Sequence, residues 1–401
     1  MTDSSFGIGL VGAGFISRTS HAPSVEYIPD AHVAGVQNRT RETAAAVAES
    51  CGGEPAVYGG DELTALVRDP DVDGVWVTTP NFVRVDAVDT VVDAVEDGAA
   101  LQGIAIEKPI ARTLGEARHI RDRIDSVGLA HAYLENWVHE PDIEQLRRLL
   151  WERGRDAGRP YLARSQAEHG GPHSGWFWDG QKQGGGALTD MLCHSLAGND
   201  YLLRDPETDR PLDAVDVSAD TATLKWAREE YAAELEERFG VDYRSDASED
   251  YARVTVRYED RAGNPVVSEA TGSWCFVGSG VSRRIELLGP EYSGQVRTDD
   301  DSSSVFLSDD VAGGGGWAEK QNATSGRMPV DAATVVTGGF VAENRDAVSS
   351  FRRGENGRLD LADGERVLRL CMAAYRAAEE RTSVDPASAS LETYTPPPAR
   401  E

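Results

Sequence analysis

An apolar run, FGIGLV at 6–11, breaks into glycines and then turns helical, GLVGAGFIS at 9–17. Short apolar runs recur at 32–37, 73–79, 103–106 and 129–134, and helical patterns fill the gaps at 15–27, 40–50, 61–68, 81–97 and 113–127. Strands separated by helices cannot pair as hairpins. They need crossover connections and line up in parallel. Residues 1–134 are therefore expected to form a doubly wound parallel α/β sheet.

The glycines sit where such a sheet binds a dinucleotide. Aligned as G-x-G-x-x-G, the turn gives Gly12, Gly14 and Ser17, with Phe15 and Ile16 at the mouth of the helix. Gly12 permits the tight turn, Gly14 lets a pyrophosphate approach the backbone, and Ser17 is small enough for the helix to pack on the strand. The helix start supplies free N–H groups for phosphate. This is the Rossmann pattern for NAD or NADP. An NAD site usually carries an acid at the end of the second strand. Here Asn38 and Arg39 stand instead, a neutral amide and a cation suited to a 2′-phosphate, so NADP is preferred to NAD.

Past residue 135 the pattern changes. A helix at 141–153 precedes a Gly- and Trp-rich loop, 170–186, and a helix carrying Asp190 and His194. Alternating segments at 215–226, 251–259, 266–276 and 283–288 predict a largely antiparallel open sheet with one face on helices. An α+β domain for substrate and oligomerisation is expected over 135–385. The segment 386–401, with prolines at 396–398, reads as a disordered tail.

AIEKPI at 105–110 puts Glu107 and Lys108 at the carboxyl end of a parallel strand, where open sheets bind ligands. Of 40 basic residues only Lys108, Lys182, Lys225 and Lys320 are lysines, leaving 36 arginines. A compact ammonium retained here, in so arginine-rich a chain, points to chemistry that a guanidinium cannot perform. GGGALTDMLCHS at 184–195 sets Asp190 and His194 four residues apart, on one helical face, behind what reads as a flexible glycine hinge. The plainer reading is a helix start with an incidental hydrogen-bonded pair. Asp190, Cys193 and His194 lack a further ligand cluster, so no metal is expected.

With GAGFIS at 12–17, TTPN at 78–81, EKP at 107–109, GGGALTDMLCH at 184–194 and the helices FVAENRDAVSSF and GERVLRLCMAAYRAAEE, the chain resembles the Gfo/Idh/MocA family over nearly its whole length. The resemblance implies a two-domain oxidoreductase that binds NAD(P) in its first domain and a sugar, polyol or related cyclic alcohol between the domains. It assigns catalysis to Lys108, Asp190 and His194. Thr79, Pro80 and Asn81 would line the cofactor cleft with Glu107, and Asn136 would sit near the nicotinamide. Arg84, Val138 and Ala197 depart from the family pattern, which has His, Arg and Asp there in many members. His194 would take a proton from the alcohol, Lys108 would steady the developing alkoxide, and Asp190 would orient the ring or hold a neighbouring hydroxyl. Trp176 and Trp178 could stack on a sugar ring, with loop packing as the alternative. Lys182 and Lys320 are weaker substrate contacts, proposed from lysine scarcity, and the remaining histidines read as packing groups, except His173, which shares the aromatic loop of Trp176 and Trp178. Two other uses of the fold are a non-catalytic dinucleotide- or sugar-sensing regulator and an imine or dihydrodiol reductase. The complete Lys108, Asp190 and His194 set favours the enzyme.

A formal net charge of −28 argues against nucleic acid and anionic membranes as partners. Together with the scarcity of lysine, it favours a salt-accumulating halophile over a merely acidic mesophile. Four dispersed cysteines form no CxxC, and no apolar run reaches about 18 residues. A soluble cytoplasmic protein is expected. The open sheet suggests a homo-oligomer, dimer or tetramer.

Overall fold

The computed structural model describes residues 5–245, 247–297, 302–308, 327–329 and 338–400. The chain divides into two compact units, Met1–His139 with Thr334–Leu368, and Glu140–Ala333 with Arg369–Glu401.

The first unit is built on six strands: β1 (Phe6–Val11), β2 (Ala31–Asn38), β3 (Ala56–Gly59), β4 (Gly74–Val77), β5 (Gly103–Glu107) and β6 (Ala130–Leu134). Their order is β3-β2-β1-β4-β5-β6 and every pairing is parallel. Crossover helices cover both faces of such a sheet, which is why β1, β4 and β5 are buried at every residue and read as unbroken apolar runs. The order reverses between β1 and β4, and ligands bind beyond the carboxyl ends at such a point. The sequence reading lacked β3, whose four residues, AVYG, are too short to show a period.

One boundary needs correcting. The helix Phe340–Arg352, expected in the second domain, belongs to the first unit. Its Ala347, Val348 and Phe351 join the core of Phe6, Ile8, Leu10 and Trp76, and Phe351 meets Trp76 edge-on at 5.7 Å. An amphipathic pattern says that a face is buried, not which sheet buries it.

The second unit holds β7 (Leu162–Glu168), β8 (Asp213–Ala222), β9 (Tyr251–Glu259), β10 (Pro265–Ser273), β11 (Ser282–Leu288), β12 (Tyr292–Arg297), β13 (Ser302–Leu307) and β14 (Arg327–Pro329). They form one sheet, β14-β13-β12-β11-β7-β10-β9-β8. Every pairing is antiparallel except β7 with β10. Burial alternates along β9 and β10, so the sheet offers one face to the core. A helix, Cys193–Leu203, lies on that face with every residue buried. Asn199 pins it, donating to Ser268 Oγ at 2.9 Å and to the Glu269 carbonyl at 3.0 Å, while Ser165 donates to the Asn199 side-chain oxygen.

Residues 386–400 are folded, not the disordered tail that their prolines suggested. Leu391 is fully buried, and the Arg400 guanidinium reaches Glu379 at 2.6 and 2.7 Å. Composition registers the prolines but not an ion pair that closes over 21 residues. Among the described residues no helix is long and apolar enough to cross a membrane.

Candidate active site

In the first unit the glycine turn is built as its sequence demands. Gly12 has φ +102°, and a β-carbon there would press on the Thr78–Thr79 backbone at 3.1 Å. A β-carbon on Gly14 would meet nothing within 4 Å, which leaves open space over the turn. Ser17 does more than stay small. Its hydroxyl donates to the Gly12 carbonyl at 2.6 Å and meets Thr78 Oγ1 at 2.7 Å, tying the turn to the end of β4. Phe15 is exposed and Ile16 half-buried, the latter leading into the π-helical turn Ser17–His21. Asn38 accepts from the Ala13 N–H at 3.3 Å and donates to the Thr40 carbonyl at 3.2 Å, so its amide serves the turn. Arg39 beside it is exposed.

Lys108 follows β5, its N–H donating to the Leu134 carbonyl at 3.3 Å and its bond to Pro109 cis. Glu107 is buried. Burial alone would raise its carboxyl, but a hydrogen bond from His21 and the charges of His21, Lys108 and Arg84 hold it below the usual range. The Asn344 side-chain oxygen accepts from Trp76 Nε1 at 2.8 Å, so His21 Nδ1, 3.1 Å away, donates to it as well. His21 Nε2 and Glu107 Oε1, 3.0 Å apart, then hold one proton between them. Asn136 donates to the Gly338 carbonyl at 2.5 Å.

Arg84 is the departure whose setting explains it. Its guanidinium donates to the Thr79 carbonyl at 2.7 Å and to the Pro109 carbonyl, joining the TPN and EKP segments. It is 2% exposed, and burial pulls it down to about 10 against the opposing charge of Glu107. Asn81 is buried, Pro80 half-buried, and the Thr79 hydroxyl is buried without a hydrogen-bond partner among the described residues. An open space over Gly14 and an unpartnered hydroxyl at Thr79 fit a bound dinucleotide.

In the second unit Asp190 lies in a π-helical turn, Leu188–Leu192, that continues into Cys193–Leu203 and so into His194. Both side chains are nearly buried, at 5% and 6% exposure. Trp274 Nε1 donates to Asp190 Oδ2 at 3.0 Å. His169 Nδ1 accepts from the Gly171 N–H at 3.0 Å, so its proton is on Nε2, which points at the same Oδ2 from 3.4 Å. His169 and Trp274 immediately follow β7 and β10, the parallel pair, and therefore share one end of the sheet. Sequence reasoning set His169 aside as a packing group and did not single out Trp274. Neither carried a local signal: β7 was not read as a strand, and Trp274 fell inside the segment 266–276 read as one, whereas β10 ends at Ser273.

The glycine run is not a flexible hinge. A β-carbon on Gly185, at φ +148°, would collide with the Tyr375 hydroxyl, and one on Gly186 with the carbonyl and carboxyl of Glu249. Glycine is needed there because other groups fill the space. Trp178 also needs correcting. It is 1% exposed, enclosed edge-on by Trp226, Tyr243 and Trp274 at ring distances of 4.8 to 5.3 Å, and is a core group rather than a sugar platform. Trp176 is half-buried and stacks on Phe177 at 3.8 Å. Lys182 pairs with Asp179 at 2.7 Å on the surface, an ordinary ion pair. Lys320 lies outside the described residues. All four cysteines are free, and among the described residues no group of three or more His, Cys, Asp or Glu could hold a metal ion.

Comparison with known proteins defines the class. Residues 6–133 match the model of an oxidoreductase family with an NAD-binding Rossmann fold, and residues 143–293 match the GFO/IDH/MocA C-terminal domain. The chain belongs to the Gfo/Idh/MocA oxidoreductase family, and its first unit carries that family's NAD-binding Rossmann domain. It is similar to 1,5-anhydro-D-fructose reductase of Ensifer adhaerens, 29% identical over 212 residues, 52% of this chain and 59% of that protein. It is also similar to D-glucoside 3-dehydrogenase of Escherichia coli, 30% identical over 208 residues, 51% of this chain and 56% of that protein. The matched stretches cover 38% to 59% of the curated relatives' lengths. A levoglucosan dehydrogenase in complex with NADH and levoglucosan shares the fold, with a TM-score of 0.75 at 19% identity over 96% of this chain and 100% of that one.

Proposed function

We propose that the protein is an NAD(P)-dependent oxidoreductase that interconverts a CH–OH group and its carbonyl on a sugar, polyol or related cyclic alcohol. The observation that carries this is the helix bearing His194 and a buried Asp190 oriented by Trp274, in a chain that also holds a glycine turn of dinucleotide-binding pattern and Lys108 at the carboxyl end of β5. The sugar-acting names of the relatives support the substrate class.

Gly12, Gly14, Phe15 and Ile16 would receive the pyrophosphate, and Thr79, Pro80, Asn81, Glu107 and Asn136 would hold the rest of the dinucleotide. When bound, the nicotinamide supplies a two-electron acceptor for the C–H hydrogen, or the donor in reverse. The chain supplies the rest. His194 takes the hydroxyl proton and returns it in the reverse direction. The Lys108 ammonium steadies negative charge on the reacting oxygen. Asp190, fixed by Trp274 and His169, holds the substrate or the imidazole in register. Trp176 remains a proposed substrate contact. With no acid at the end of β2, we take NADP as the preferred cofactor, its 2′-phosphate read by Arg39. Arg39→Ala should lower kcat/KM for NADP roughly tenfold and leave NAD unaffected, on the scale of a charge-assisted contact; a strong NAD preference in the parent contradicts the NADP assignment.

Reduced-nicotinamide absorbance with a panel of aldoses, inositols and keto-sugars tests the proposal. Turnover of at least one member is expected; dinucleotide binding without turnover of any member contradicts it. The cytoplasm, where these cofactors are supplied, is the proposed location, with the acidic surface suited to concentrated salt. The exposed sheet face, where Arg164 meets Glu269 at 2.6 Å and Glu286 at 3.7 Å, is the proposed contact in a homo-oligomer.

A further inference from the structure

We propose that Glu249 and Tyr375 are positioning residues for the reaction, clamping the start of the helix that carries Asp190 and His194. The inference rests on the role proposed above for that helix.

Three successive N–H groups open the helical segment, and Glu249 takes all three. Its Oε1 accepts from Gly186 at 3.1 Å and from Leu188 at 2.9 Å, and its backbone carbonyl accepts from Ala187 at 3.0 Å. A helix start has no internal acceptors for these groups, and a carboxylate is the acceptor its dipole favours. This acceptor comes from residue 249, about sixty residues along the chain, so it fixes the helix to another part of the unit. Tyr375, on the helix Leu361–Glu380, holds the carboxylate in turn. Its hydroxyl donates to Glu249 Oε1 at 2.7 Å and accepts from the Gly186 N–H at 2.9 Å. Because the tyrosine's one proton goes to Glu249, the Thr189 hydroxyl, 3.1 Å away, is the donor in that contact. The anchored residues lie within one turn of Asp190, whose own N–H donates to the Gly186 carbonyl at 3.1 Å.

Glycine at 185 and 186 fits the same purpose, since a side chain at either would displace the hydroxyl or the carboxyl. The clamp is also sensitive to protonation. Burial raises the Glu249 carboxyl to about 7 against its hydrogen bonds from Tyr375, Leu188 and Gly186. The titratable groups that feel its charge are Tyr375 and Cys371 from the long helix and Tyr243 from the segment before β9. All three side-chain bonds fall on Oε1, while Oε2 is buried without a partner among the described residues. A proton taken up on Oε2 relieves the buried charge and leaves the bonds in place but weaker, because the charge that strengthens them is gone.

The test uses the full-length protein with Tyr375→Phe and Glu249→Gln, the first nearly isosteric and able to fold even if the second does not. Hydrogen–deuterium exchange over 184–194 should be faster in both variants. Unchanged protection overturns the clamp whatever the activity. With any sugar the parent turns over, kcat should fall about tenfold, the scale of a lost hydrogen bond to a charged group, with KM for the dinucleotide unchanged. The acid side of the kcat–pH profile should lose one ionisation in Glu249→Gln. Loosened exchange with parental kcat and pH profile overturns the positioning role. A parent inactive on every sugar, with exchange loosened as expected, sinks the proposed function and leaves the clamp standing.

Discussion

Glu249 affects folding as well as the helix it caps. Its carboxyl is raised from 4.5 to about 7, so the fold favours the protonated acid. That preference stabilises the fold at pH below the unfolded value and is lost as pH climbs through about 7, a change on the order of 3 kcal/mol. Melting of the parent between about pH 5 and pH 8 should therefore fall more steeply than melting of Glu249→Gln; parallel curves would contradict it. Glu343 follows the same sign. Burial and the charges of Glu107, Glu135 and Asp346 raise it well above the usual range, and neither of its oxygens has a hydrogen-bond partner among the described residues. Of the candidate catalytic groups, Lys108, Asp190 and His194 were legible because local spacing carries them: a strand end for one, an i, i+4 pair for the others. His169, Trp274, Glu249 and Tyr375 were not, because they reach Asp190 or its helix from distant segments and spacing records nothing of such contacts. Trp178 misled because a tryptophan in a glycine-rich loop reads alike whether the loop folds inward or outward.

At the level of elements, Arg84 ties the segment after β4 to the segment after β5. It does so from the first residue of the helix Arg84–Glu96, where the helix dipole disfavours a cation. A buried charge in so adverse a place is held by what it contacts, the Thr79 and Pro109 carbonyls. Arg84→Gln should lower the melting temperature by roughly 5 °C, the effect of losing charged hydrogen bonds in a unit of this size, and weaken dinucleotide binding. Thermal unfolding and a cofactor titration check this; parental values in both would contradict the tie. The parallel strands were legible because burial on both faces leaves continuous apolar runs, as in β1. β3 was too short to read, and β7 and β12 to β14 were not distinguished from loops. The Arg84 tie was not legible either. It joins a helix start to two carbonyls, and carbonyls carry no sequence signature.

For the whole molecule the dominant quantity is the net charge of −28. Self-repulsion of that size is screened when the Debye length shrinks to about 3 Å near 1 M salt. The melting temperature should accordingly rise from about 0.1 M to 1 M KCl or beyond; a flat or falling response contradicts the high-salt reading. Chain order is the weakest guide at this scale. The helix Phe340–Arg352 returns to complete the first unit after some two hundred residues of the second, and no local pattern announces that return. The most direct check on the chemistry is single-turnover kinetics at saturating dinucleotide, on a sugar or polyol the parent accepts. Lys108→Ala and His194→Ala should each bind dinucleotide as the parent does and react at least about 100-fold more slowly, the scale of lost acid–base catalysis. Reaction at near-parental rate in either variant would contradict the assignment.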